Sequence, residues 1–195
     1  MRRPLSAEDA EELELSTPDH REIAEQLVAW AEQPGPDDEL SPRELLTRAG
    51  EQLELAGDPA AAEAAYRRAA GADGDAALDP RSHLVAVLLD REEPDEALAL
   101  DRDLRRSRPT EAATYEYMAD VWAEHGDDRR ALGWLTRGIL VHEQGPGFSD
   151  VDLSMLCLAR WRLRERLGHQ PDDHDVIGIG MLQRLDRAAE NHPRV

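Results

Sequence analysis

The residues best suited to chemistry lie in "HQPDDHD", His169 to Asp175, where two histidines and three aspartates fall within seven positions. Imidazole nitrogens and carboxylate oxygens there could ligate a divalent metal through His169, Asp172, Asp173 and His174. Proline and aspartate ahead of an apolar helical pattern are also ordinary helix-start chemistry, because negative charge is favoured at the amide end. The spacing matches no zinc pattern of three or four ligands, so neither a metal nor any cofactor is expected. Cys157 is flanked by Leu153, Leu156 and Leu158. It reads as a small buried hydrophobe rather than a nucleophile, since no histidine-plus-acid grouping accompanies it. Gly178-Ile179-Gly180 interrupts an apolar helical pattern and does not follow a strand, so it reads as close helix packing rather than a phosphate loop. No catalytic residue is assigned and a non-enzymatic role is expected.

Two charged groupings remain. Arg160, Arg162, Arg164 and Arg166 surround Trp161, and at helical spacing Arg160 shares a face with Arg164, as Arg162 does with Arg166. They read as pairing with the chain's own carboxylates or as solvated near a helix end, over a site for an acidic partner or RNA. Glu116, Asp120 and Glu124 stand at i, i+4 and i+8 and form one acidic ridge, while Tyr115, Met118 and Trp122 take the buried side. A chain with 42 acids produces such ridges by chance. A basic partner would also relieve the like-charge repulsion within one.

Composition narrows the classes further. A formal charge of -19 disfavours generic nucleic-acid binding through phosphate repulsion. Every one of the 23 basic residues is arginine. With alanine, leucine, glutamate and arginine dominant and β-branched residues sparse, an all-α fold is expected. One cysteine permits no intrachain disulfide, and "MRRPLSAEDAEELELS" lacks the apolar segment of a secretion signal. No apolar run is long enough to cross a membrane. A cytoplasmic protein without membrane or nucleic-acid partners is expected.

These side chains must be positioned by helices. Residues 1–40 read as a charged extension with one helix over 19–33, carrying Ile23, Leu27 and Trp30, while 6–15 is open between a short helix and disorder. Ser41-Pro42-Arg43-Glu44 is a helix start with a capping box. Leu46, Ala49, Gly50 and Leu53 then fall in helical register, the helix stops at Gly57, and Asp58-Pro59 opens a partner carrying Ala62, Tyr66 and Ala69. The unit recurs. Leu84, Val85 and Leu88 lie 35 residues after Ala49, Gly50 and Leu53; Met118, Ala119 and Trp122 lie 34 residues further on. A helical hairpin recurring at this period signals stacked units.

The period and the alternation of small and large residues resemble tetratricopeptide (TPR) repeats over roughly 43–145. The second unit departs from that pattern: Arg81 and Asp101 stand where large apolar residues are expected, and its turn lacks glycine. In the third, Gly138 replaces a small apolar residue. The resemblance implies a right-handed α-solenoid, with three hairpins over 41–145 and a capping helix pair over 146–195. It also implies a concave groove lined by the first helix of each hairpin. That groove would present Glu44, Arg48, Glu51, Glu54, Ser82, His83, Ala86, Asp90, Glu116, Tyr117, Asp120 and Glu124 to a basic or amphipathic protein segment. It lacks the basic and amide side chains with which some members clamp a C-terminal carboxylate; Thr47 and Glu51 stand where that clamp would begin. The expectation is a non-catalytic protein-binding module. The alternatives are a self-associating scaffold using Trp134, Trp161 and the apolar sides of the terminal helices, and a metal protein or enzyme using the 169–175 loop.

Overall fold

The computed structural model describes residues 3–145 and 148–191, with side chains described as far as 188. The described residues hold ten α-helices and no strand. The helices are α1 Ala7–Ser16, α2 His20–Ala31, α3 Pro42–Leu55, α4 Pro59–Ala70, α5 Pro80–Asp90, α6 Pro94–Ser107, α7 Ala112–Glu124, α8 Asp128–Glu143, α9 Asp150–Arg166 and α10 Asp173–Asn191. None of the described helices is long and apolar enough to cross a membrane.

Local chemistry sets the boundaries. Ser6, Asp19, Ser41, Asp58, Asp79, Asp127 and Ser149 each accept from a first-turn backbone N–H of the helix that follows. Such a cap satisfies a donor that has no partner inside the helix. The expected 34–35 residue recurrence reappears as one repeated stop. Asp58 N donates to Leu53 O (2.9 Å), Glu93 N to Leu88 O (2.8 Å) and Asp127 N to Trp122 O (2.8 Å). Each bond closes around a residue with positive φ: Gly57 at 71°, Glu92 at 60° and Gly126 at 78°. This is the left-handed helix stop that glycine adopts without penalty. The middle unit makes the same turn with glutamate, and that explains the missing glycine.

The chain divides into two compact units, Met1–Leu104 and Arg105–Val195. In the first, successive helices from α1 to α5 pack on one another around Ile23, Leu27, Leu45, Ala49, Tyr66 and Leu84. Gly50 is required there, because a Cβ on it would lie 2.3 Å from the Tyr66 ring. The alternative left open over 6–15 resolves as a helix, α1, Ala7–Ser16. A capping box at Ser6 starts the helix. Buried Ala10, the Leu5 N donation to Asp38 Oδ1 (2.8 Å) and the Arg48–Glu14 pair (2.9 Å) hold it. Arg81 sits in an apolar position without penalty because its guanidinium forks onto the cap carboxylate of Asp79, at 2.9 and 2.6 Å.

The second unit packs α7 on α8 and α9, α8 on α9, and α9 on α10. Tyr115 lies over Gly138, where a Cβ would meet the ring at 2.9 Å, and its hydroxyl donates to Pro109 O (2.9 Å). Burial pushes the Tyr115 hydroxyl up to about 12. Trp134 is fully buried, edge-on to Tyr115 at 5.7 Å with the Arg105 guanidinium 5.1 Å from its centroid. Self-association through Trp134, one of the expected alternatives, is therefore corrected: the indole is core.

Candidate functional site

The acidic ridge of α7 meets a cleft. Tyr115, Met118, Ala119, Val121 and Trp122 fill the buried stripe of α7, which turns Glu116 and Asp120 to the rim on the same side. The cleft encloses about 340 Å³ between α7 and α9, with Leu135 of α8 beneath and Met155, Leu158, Ala159 and Leu163 of α9 along the floor. Arg162 and Arg166 form the far wall. The volume falls at the low end of the ~300–1,000 Å³ typical of ligand pockets, so it suits side chains of a docked segment.

The acidic wall is electrostatically uncomfortable. Burial pushes the Glu116 carboxyl above its ordinary value, and the Asp120 and Asp152 charges push it further. Asp120 is raised by burial and then by Glu124. No hydrogen bond or ion pair joins Glu116 or Asp120 to a basic group among the described residues. The cleft is therefore apolar at the floor, acidic on one wall and basic on the other. Glu124 is exposed beyond the lining and acts on the cleft through Asp120, and Tyr117 is half-buried outside it.

The expected groove residues of the first unit are differently occupied. Glu44 accepts from Ala77 N (2.9 Å), and Arg48 is held by Glu14. His83, expected to offer contact area, is only 4% exposed; its ring stacks on Tyr66 at 4.5 Å and turns Nε2 to Glu51 Oε1 at 3.4 Å. Burial raises the Glu54 carboxyl, His83 and the Tyr66 hydroxyl oppose that rise, and Glu51 and Asp90 add to it. Ser82 is likewise turned inward and donates to Asp79 O (2.5 Å), while Ala86 is half-buried and Asp90 exposed.

The arginine pairs at i, i+4 separate by face. Arg162 and Arg166 line the cleft, whereas Arg160 and Arg164 turn to the start of α10. Arg160 reaches Asp172 at 2.7 Å and Asp175 at 3.0 Å; Arg164 reaches Asp175 at 3.0 Å and Asp172 at 3.2 Å. Asp175 is 1% exposed. The Arg160 guanidinium, the largest influence on Asp172, holds its carboxyl well below the usual range. His174 Nε2 lies 2.8 Å from Glu143 Oε1, and His169 and Asp173 are exposed. Asp172, His174 and Asp175 of "HQPDDHD" thus fasten α10 to its neighbours, and no group of three or more metal-ligating side chains converges among the described residues. Cys157 is fully buried and burial pushes its thiol up to about 11, leaving it protonated at neutral pH. Gly178 admits the Cys157 carbonyl, which a Cβ would meet at 2.5 Å; Gly180 admits nothing nearer than 3.9 Å. Only the first glycine makes close packing.

The apolar α9 floor and the Arg162–Arg166 wall were missed as site residues by sequence reasoning. The i, i+4 division of the four arginines was the available signal, but it does not say which pair faces which neighbour. Comparisons with family models, curated proteins and solved structures found no match.

Proposed function

We propose that this chain is a non-catalytic protein-binding module, a TPR-like stack of helical hairpins, whose α7–α9 cleft holds an amphipathic segment of a partner protein. The observation that carries the reading is the pair of unpartnered carboxylates, half-buried Glu116 and exposed Asp120, beside an apolar floor. A partner arginine or lysine placed between them would neutralise both, and hydrogen bonds between ionised groups are roughly twice as strong as neutral ones. Apolar side chains of the same segment would lie on Leu135, Leu158 and Leu163. An acidic residue on its opposite edge would meet Arg162. This is the helix-in-groove mode of recognition, in which burial supplies affinity and the flanking charges set orientation. The repeated turns at Gly57, Glu92 and Gly126 support the hairpin-stack reading.

The test is affinity capture from lysate of the source organism, comparing wild type with a Glu116→Ala, Asp120→Ala, Glu124→Ala variant matched in stability. A protein retained by wild type and lost by the variant supports the reading once a peptide from it reproduces the difference. Equal retention by both removes the cleft from the account.

A further inference from the structure

The acids at the two ends of α8 are engaged: Asp127, its N-cap, with Arg130, Asp128 with Arg166, and Glu143 with His174. Between them the helix presents Arg129 and Arg137, two turns apart, and Arg108 reaches it from the segment before α7 to donate to Gln144 Oε1. The shallow depression they surround has Leu132, Leu140 and Val141 in it and no carboxylate, in a chain with 42 acids. Leu140 is 44% exposed, and Gly133 at the centre faces open space. Three guanidiniums around an exposed apolar floor are complementary to a ridge that carries carboxylates and a large apolar side chain.

α1 is such a ridge. Glu8, Glu11, Glu12 and Leu15 fall at i, i+3, i+4 and i+7 and share one face. All four are exposed, Leu15 to 88%, and no carboxylate of the three is ion-paired among the described residues. The opposite side is fixed through Ala10 and the Glu14–Arg48 pair. We propose that α1 of one copy docks in the α8 depression of a second copy, with Leu15 on Leu140 and Val141 and the three glutamates against Arg108, Arg129 and Arg137. Two different surfaces meet, so the contact is heterologous. One short helix buries less than the ~1,200 Å² of a stable interface, so association is weak and depends on concentration. The charge of -19 on each copy opposes approach at low salt. At ~0.15 M salt the Debye length of ~8 Å screens that repulsion while paired groups in contact still attract.

Sedimentation velocity of the full chain at ~0.15 M salt, from ~10 µM to ~1 mM, tests this. Wild type is expected to sediment faster as concentration rises. An Arg129→Glu, Arg137→Glu variant and a Glu8→Arg, Glu11→Arg, Glu12→Arg variant are each expected to stay monomeric, and their equimolar mixture to associate again, because each then meets its complement. All five positions are exposed; should either variant fail to fold by circular dichroism, Arg129→Gln, Arg137→Gln is read in its place, with association expected to fall severalfold. Wild type that stays monomeric at the highest concentration overturns the proposal, and so do variants that associate as well as wild type. A monomeric wild type that binds a fluorescent acidic amphipathic peptide on α8 also overturns it, assigning the face to a foreign helix.

Discussion

Single positions show where this chain meets physical demands with unusual residues. Glu92 makes a left-handed turn that glycine makes at Gly57 and Gly126. A side chain in that conformation costs about 1–2 kcal/mol, part of which glycine returns as unfolded-chain entropy. Glu92→Gly is therefore expected to raise the stability of the first unit by about 0.5–1 kcal/mol, measured as a shifted urea midpoint at unchanged slope. Glu116 carries the opposite kind of strain. Its carboxyl is raised in the folded state, so the penalty accumulates as pH rises from the ordinary carboxylate value to the raised one and is constant above it. Glu116→Gln should stabilise the free protein by a few tenths of a kcal/mol near neutral pH, lose that advantage in acid, and weaken partner binding. A variant destabilised at pH 7 would contradict the description of Glu116 as an unpartnered charge.

At the level of elements, much of the architecture was legible because helix chemistry is local. Ser41-Pro42 and Asp58-Pro59 announced starts that the structure keeps, and the recurrence at 34–35 residues located the repeated turns. Long-range relations were not legible. Nothing local told that Ala10 would be buried and α1 tied to Arg48, or that His83 would stack on Tyr66 rather than face a groove. Spacing alone could not separate Gly178 from Gly180. The distinction lies in what α9 places opposite each. Gly178→Ala should force α9 and α10 apart and cost about 1–3 kcal/mol, whereas Gly180→Ala should stabilise α10 by up to about 1 kcal/mol through helix propensity. Paired thermal melts of the two variants check this, and equal effects would contradict the packing described.

Across the molecule, charge that looked like surplus is partitioned into distinct tasks. Arg160 and Arg164 hold the start of α10 through Asp172 and a nearly inaccessible Asp175. The Asp172 carboxyl is depressed, so its contribution is fully present above the ordinary carboxylate value and is lost only as pH falls through the lower folded value. Asp175→Ala leaves two guanidiniums facing one carboxylate in a buried site and should destabilise the second unit by about 3–5 kcal/mol, read as an earlier denaturation midpoint. Arg162 is left to the cleft, opposite Glu116 and Asp120, beside an Arg166 that pairs with Asp128. That separation of clamp from cleft is the basis for the proposed binding role. Its most direct test is nuclear magnetic resonance mapping of the ¹⁵N-labelled full chain titrated with a basic amphipathic peptide from the captured partner, at rising salt. Shifts are expected to concentrate on α7 and α9 around Glu116, Asp120, Leu158 and Arg162, with affinity falling through ~0.1–0.5 M salt. Shifts centred elsewhere, or an affinity indifferent to salt, would contradict that role.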